Sequence, residues 1–223
     1  MRPLLAGFIL LFVLFNGCKK ENEVTNPDQI VGSGKLITQN RTTGAFTGIQ
    51  VTGMAKVIVK QDTVQSLRIE ADDNIMDSVT TTTSDGLLSV GLKKGSYTGI
   101  TVNVYASMKT INDLESTGAA EFLTDGQIQT DSVLCRITGA GKITLKGAAA
   151  VEKIEITGTG DIHNFDLVSS RCSATISGAG NVEVNVTQDL TAVIAGTGSI
   201  TYSGNPVNVH QTITGVGSVK TKP

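Results

Sequence analysis

The chain has no tryptophan, few other aromatic residues and few prolines. Its 223 residues include six Phe, three Tyr and four Pro. A buried core must therefore be built from Val, Ile, Leu and Ala. The 25 glycines favour many tight turns rather than disorder, since 39% of the chain is still apolar.

A strong excess of charge of either sign is also absent. Eighteen Lys and Arg residues face 20 Asp and Glu residues, a net charge of −2. No clustered basic stretch appears, so the sequence predicts no nucleic-acid partner. No stretch beyond the first residues has a helical period, whereas alternating apolar and polar residues are common, which favours an all-β fold.

What the chain does have is an internal repeat. Ile-Thr-Gly-Ala-Gly-Lys-Ile at 137–143 returns with substitutions at 156–162, 176–182, 194–200 and 213–219, and in degenerate form at 116–122. The first glycines of successive copies are 21, 19, 20, 18 and 19 residues apart. A period near twenty is typical of solenoid proteins.

Each copy reads as a strand, a bend and a second strand. Apolar residues recur two positions before the first glycine and four positions after it, with polar residues between them. Glycine suits the bend because backbone must stack on backbone in every layer. The predicted corner glycines are Gly139, Gly141, Gly158, Gly160, Gly178, Gly180, Gly196, Gly198, Gly215 and Gly217.

These observations predict one domain, at 41–223, with the fold of a parallel β-helix. Its coils have 18–21 residues, and right-handed winding is expected for parallel crossovers. Residues 41–112 lack the repeat and are predicted to form an irregular β head, followed by glycine-rich coils at 113–223. Open ends of such a stack need covering.

The first residues indicate export. A positive start and an apolar run to Phe15 predict a signal peptide at 1–17, because the run is too short to span a membrane. Cys18 follows a small residue, as in a bacterial lipobox, which implies acylation of Cys18 and a membrane anchor. The alternative is an ordinary signal peptide with an incidental cysteine. Residues 18–40 are polar and are predicted to be a flexible tether.

The glycine bends, a head containing Phe46, Ile49, Val51 and Gly53, and the lipoprotein-like leader together resemble a known family. The chain is similar to the auto-transporter adhesin head family, the GIN domain, over about residues 45–220. The resemblance implies a right-handed parallel β-helix on an exported, lipid-anchored protein of Bacteroidota type, at the outer membrane or cell surface. It brings no catalytic residue to this sequence.

Residues able to bind metals or act as nucleophiles are few and scattered. Cys135 and Cys172 lie two coils apart, beyond disulfide reach, and are predicted to be buried free thiols. His163 and His210 fall in outward columns and are predicted to be solvated. No zinc spacing results, and no metal or cofactor is predicted.

Acidic residues are the remaining candidates for chemistry. Asp72, Asp73 and Asp77 are the densest group, and they are predicted to form a solvated turn, with a cation site left open. Four further acids fall in different columns or point different ways: Glu152, Glu155, Asp161 and Asp166.

The sequence therefore predicts a non-catalytic cell-envelope lipoprotein that binds an extracellular glycan or protein through its solenoid. One alternative is a polysaccharide-degrading lyase or hydrolase on a parallel β-helix, which would need clustered acids on one face. A minor alternative is an ice-binding surface. It would use the hydroxyl ladder of Thr138, Thr157, Ser177 and Thr214.

Overall fold

The computed structural model describes residues 29–222, which form nineteen strands and one short 3-10 helix, Met76–Ser78. The strands are β1 Gln29–Val31, β2 Leu36–Asn40, β3 Gly48–Val51, β4 Met54–Gln61, β5 Ser66–Asp72, β6 Val79–Ser84, β7 Leu87–Leu92, β8 Ser96–Thr98, β9 Val102–Met108, β10 Asp113–Ser116, β11 Ala119–Thr124, β12 Ile128–Ile137, β13 Ala140–Thr144, β14 Gly147–Ile156, β15 Thr159–Ile176, β16 Ala179–Ile194, β17 Thr197–Ser203, β18 Asn208–Ile213 and β19 Val216–Thr221.

The strands stack in parallel as the two faces of a β-solenoid. A pre-corner sheet contains β3, β10, β12, β14, the second halves of β15 and β16, and β18. A post-corner sheet contains β4, β11, β13, the first halves of β15 and β16, β17 and β19. The predicted all-β parallel β-helix is confirmed.

The solenoid interior is a stack of aliphatic columns. Two positions before each corner, Ile137, Ile156, Ile176 and Ile194 are fully buried. Four positions after it, Phe122, Ile143, Ile162, Val182 and Ile200 are fully buried too. Each coil has an apolar side that it cannot bury alone, so burial comes from the neighbouring layers.

The corners are held by backbone hydrogen bonds between layers. The amides of Thr157 and Gly158 both donate to the carbonyl of Ile137, at 2.9 and 3.1 Å. A Cβ on Gly158 would lie 2.0 Å from the carbonyl oxygen of Gly139. Close backbone approach therefore explains the corner glycines. Among those predicted, only Gly198 has a positive φ.

The predicted boundary between head and coils is wrong. Strand β3 pairs in parallel with β10, and β4 pairs with β11, so β3 and β4 form a further coil next to the degenerate copy at 116–122. Strand β7 extends the pre-corner sheet beyond β3, and β9 extends the post-corner sheet beyond β4. The antiparallel strands β5 and β6 then cover this end, joined by β2. The irregular part of the predicted head is therefore this outer cap of β2, β5 and β6, whose strands pair antiparallel.

The predicted tether is also wrong over residues 29–40. Strand β1 pairs with β8, and β2 pairs along its whole length with β5. Every residue of β1 and β2 is exposed, including the apolar side chains of Ile30, Val31, Leu36 and Ile37. The predicted signal peptide, the lipidation at Cys18 and the tether as far as residue 28 lie outside the described residues. No helix in residues 29–222 is long and apolar enough to cross a membrane.

The C-terminal end of the stack is open. Strand β18 pairs only with β16 and β19 only with β17, within the part of the chain that the structure describes. As a result Ile213, in a column that is buried in earlier coils, is 42% exposed, and Val216 is 73% exposed. The solenoid is thus capped at one end and uncovered at the other.

A candidate binding groove and its surroundings

A groove lies beside the first two residues of β4, where β9 does not pair with that strand. Strand β4 pairs with β11 from Met54 onward, whereas β9 joins the other side of β4 only from Lys56. Residues 100–103 stand away from Met54 and Ala55 and form a wall. The resulting space has a volume of about 510 Å³ and is open to solvent.

A buried aspartate holds this wall in place. The carboxylate of Asp72 accepts hydrogen bonds from the amides of Gly34 and Thr101, each at 2.7 Å. Asp72 is only 1% exposed. Without it, these two partly buried hydrogen bonds would be lost, so Asp72 connects the segment before β2 and the groove wall to the cap.

The prediction of a solvated turn is therefore wrong for Asp72. Asp73 does lie near the surface, where its oxygens contact the Ser33 hydroxyl at 2.7 Å and the Lys35 ammonium at 3.3 Å. These contacts, the Ser33 hydrogen bond first, lower the pKa of Asp73. Asp77 is exposed in the 3-10 helix. Within residues 29–222, no three His, Cys, Asp or Glu side chains are grouped to hold a metal ion.

The floor of the groove consists of apolar side chains, and its rim consists of charged side chains. Met54, Ala119 and Ala140 occupy neighbouring positions in three successive strands and line the floor. Two positions further along the same strands stand Lys56, Glu121 and Lys142. The sheet geometry therefore places one line of charged side chains parallel to one line of apolar ones.

The groove continues around the corner past Met54 and Ala119. This corner extension has a volume of about 450 Å³ and is lined also by Lys93, Lys94 and Tyr97. The Tyr97 hydroxyl donates to the carbonyl of Lys93 at 2.9 Å, which fixes the ring beside the two lysines. We refer to the two spaces together as the binding groove.

The binding groove is positively charged, although the whole chain is slightly acidic. Four lysines and one glutamate line it, which is a local net charge of +3. Lys56 pairs with Glu121 at 3.4 Å. Lys93, Lys94 and Lys142 have no carboxylate within 4.0 Å among the residues described. None of these three ammonium groups is held in an ion pair, although Glu121 and Asp161 stand on either side of Lys142 in the neighbouring strands.

The opposite sheet carries an ion-pair ladder that the sequence interpretation missed. Arg136 contacts Glu155 at 2.8 Å and Glu115 at 3.7 Å, and Glu115 also accepts from Gln50 at 3.1 Å. All four side chains stand three positions before a corner glycine, so column alignment could have found them. Burial, and next the charge of Glu115, raise the pKa of neighbouring Asp113. Arg136 binds two of these carboxylates, which indicates a structural ladder.

A second missed feature is a carboxyl group inside the solenoid. Glu152 is fully buried, and its Oε1 accepts from the Asn164 amide at 2.6 Å. Its Oε2 has no hydrogen-bond partner. Burial raises the pKa of Glu152 to about 7, against the weaker opposing effect of the Asn164 hydrogen bond. Glu152 occupies an inward position between Val133 and Cys172, so ligands in the binding groove do not reach it.

The cysteines and histidines are placed as follows. Cys135 and Cys172 are buried free thiols, as predicted, and burial raises the pKa of both well above the ordinary value. His210 is exposed. His163 is half-buried rather than simply solvated, because its Nδ1 lies 2.7 Å from a carboxylate oxygen of Glu183.

The hydroxyl ladder lies exposed at the corners, not on a flat sheet face. Its members are Thr138, Thr157, Ser177 and Thr214.

Comparison with protein families accounts for this architecture. The model described as "Putative auto-transporter adhesin, head GIN domain" matches residues 45–206, most of the chain. The chain belongs to the GIN domain family. The predicted resemblance is thus confirmed. The match begins just before β3 and ends before β18, so it includes most of the cap and all coils except the last. A comparison with curated proteins gives no match.

Solved structures share the fold of this GIN domain. A protein of Bacteroides fragilis described as a "putative adhesin" is 22% identical, with a TM-score of 0.68 over 86% of this chain and 100% of that one. One of Parabacteroides merdae with the same description is 22% identical, with a TM-score of 0.53 over 88% and 100%. A "putative lipid binding protein" of Parabacteroides distasonis is 20% identical, with a TM-score of 0.51 over 87% and 100%. At these identities the likeness concerns the fold.

Proposed function

We propose that this GIN domain protein is an exported, lipid-anchored binding module of the cell surface. It holds an extracellular ligand, a glycan or a protein, in the binding groove and does not change it chemically. The observation that carries the proposal is the groove itself, with its apolar floor and three unpaired lysines on a rigid stack. The adhesin description of the family and of two similar structures supports it.

The positions of the carboxylates favour binding over catalysis. General acid or base catalysis needs a carboxyl group within hydrogen-bonding reach of the substrate. The one acidic residue that lines the binding groove, Glu121, is paired with Lys56. Glu152, which has the raised pKa suited to an acid, is enclosed in the core. The alternative of a polysaccharide-degrading enzyme would rest on Asp113, Glu115 and Glu155 of the opposite sheet, but Arg136 binds two of these three carboxylates.

The binding proposal is tested with the full-length protein in detergent on an array of glycans and matrix proteins. Saturable binding that is lost in Ala119→Tyr, which fills the groove floor without changing charge, is expected. Ala195→Tyr, at an exposed corner of a distant coil, is the matched control. Retained binding in Ala119→Tyr would place the site elsewhere. Shortened polymer in the supernatant would favour the enzyme instead.

Anchoring is tested separately, since it depends on residues before 29. Cells expressing the chain are labelled with a fatty-acid analogue, and surface exposure is measured by protease treatment of intact cells. We expect label in the natural chain and none in Cys18→Ala. Label that survives this substitution would contradict the anchor.

A further inference from the structure

The open strand edge in the binding groove is too short to bind a peptide as an added strand. Only Met54 and Ala55 lack a partner on the side of β4 away from β11, because β9 pairs from Lys56 onward. Strand addition takes its affinity from a row of backbone hydrogen bonds. Two residues offer too few of them, so recognition in the groove depends on side chains.

The side chains of the groove select for negative charge at more than one point. Lys142 lies two strands from Lys56, about 9.6 Å at the usual strand spacing. Lys93 and Lys94 lie around the corner from Lys142, with Met54 and Ala119 between them. A small anion could contact only one of these places. A polymer with repeated anionic groups could contact both.

The floor suits sugar rings better than nucleic-acid bases. Met54, Ala119 and Ala140 form a low apolar surface on which the C–H face of a sugar can lie. Thr101 adds a hydroxyl at the wall, and Asn103 adds its amide oxygen, since its amide nitrogen donates to Glu70 at 2.9 Å. The groove has only one aromatic ring, Tyr97, whereas proteins that bind single-stranded nucleic acid stack successive bases on several.

We propose that the binding groove holds one chain of an anionic polysaccharide, with its carboxylates paired to Lys142 at one end and to Lys93 and Lys94 at the other. The inference rests on the proposed binding function and adds the ligand class. The corner places the two lysine positions on different sides of the solenoid, so the polysaccharide bends over the corner at Met54. A ligand that bridges both positions gains from each, although single exposed ion pairs are weak.

The test measures binding of the full-length protein in detergent to polygalacturonate and to its methyl ester. The ester keeps the sugar backbone and removes the charge. We expect saturable binding of the acid form, weakened by added salt, and at least tenfold weaker binding of the ester. A single-stranded DNA oligonucleotide and phosphatidylglycerol in mixed micelles of the same detergent serve as anionic probes of other classes, and should bind more weakly than the polysaccharide.

Two double variants with the same net charge separate groove lysines from general charge. Lys93→Gln with Lys142→Gln should raise the Kd for polygalacturonate about fivefold to tenfold. Lys109→Gln with Lys220→Gln, at exposed sites that do not line the groove, should change it less than about twofold. Equal losses in the two variants would overturn the inference. So would tighter binding of DNA or of the phosphatidylglycerol micelles through the same lysines.

The outcomes also separate this inference from the proposed function. Equal binding of acid and ester, or binding only of neutral glycans or proteins, abolished in each case by Ala119→Tyr, would overturn the anionic ligand and leave the binding function standing. No saturable ligand on the array and no binding of polygalacturonate would contradict both.

Discussion

The side-chain amide nitrogen of Asn164 lies 2.6 Å from Oε1 of Glu152, deep inside the solenoid. The same Asn164 accepts from the backbone amide of Leu145 at 2.9 Å. One polar side chain thus satisfies a backbone amide and half of a buried carboxyl group, and the other carboxyl oxygen stays without a partner. A charged carboxylate is costly in such a place, so the protonated form is favoured.

Stability should therefore fall as pH rises through the range in which Glu152 loses its proton. Folding raises the pKa of Glu152 from 4.5 to about 7, so the folded state binds the proton more tightly. This contribution, about 3 kcal/mol, is fully present below about pH 4.5 and is lost as pH rises through about 7. Glu152→Gln should remove it. Urea unfolding between pH 4.5 and 8 measures the difference between variant and natural chain.

Asp166→Asn is the control for this pH dependence, because Asp166 is exposed and only distantly paired with Lys146, at 3.8 Å. If the stability difference between Glu152→Gln and the natural chain changed between pH 4.5 and 8 no more than that of Asp166→Asn, the buried carboxyl would not be what titrates.

Adding one methyl group at a corner should disrupt the stack. A Cβ on Gly158 would meet the carbonyl oxygen of Gly139 at 2.0 Å, and backbone cannot move aside within a layered structure. Gly158→Ala should cost roughly 3 kcal/mol or more, or prevent folding. Thermal unfolding followed by circular dichroism measures the loss.

Gly44→Ala provides the comparison for the corner. The nearest atom to its added Cβ would be 3.6 Å away, an ordinary contact. We expect a change within about 0.5 kcal/mol. Similar losses at Gly44 and Gly158 would mean that glycine flexibility, not layer contact, decides.

Truncating an isoleucine of the pre-corner column should cost more folding stability in the middle of the stack than at its open end. Ile156 is fully buried, whereas Ile213 is 42% exposed. Ile156→Ala should cost about 2–5 kcal/mol as a core truncation, and Ile213→Ala less than about 1 kcal/mol. Urea unfolding of both variants tests this. A loss at Ile213 as large as at Ile156 would indicate that another chain or segment covers the open end.

Removing the Asp72 carboxylate should destabilise the groove wall at Thr101. Asp72→Ala leaves the amides of Gly34 and Thr101 without their acceptor, which should cost about 1–3 kcal/mol or more. Hydrogen exchange at Thr101 should accelerate with it. Asp73→Ala, which removes only surface contacts, should leave this amide protected. Slow exchange at Thr101 in Asp72→Ala would show that the wall holds without the carboxylate.

Part of the site could be read from the sequence and part could not. The columns of Lys142 and Arg136 follow from aligning the repeat on its glycines. The coil formed by β3 and β4 was missed because its corner has one glycine, Gly53, where later copies have two. Glu152 was missed because charge normally indicates an outward position, and here the alternation of the strand places it inside.

The sequence by itself determined the repeating unit: an alternating strand, a glycine corner, a second strand and a period near twenty residues. The reason is that every layer stacks its backbone on the layer before it and buries its aliphatic side chains against the same columns of the neighbouring layers. Tertiary structure alone decided what covers the first coil and where the groove opens. Met54 meets Ala119 across 65 residues of chain, and Asp72 fixes Thr101 through one buried carboxylate. Such contacts join segments that share no repeat, so no local pattern encodes them.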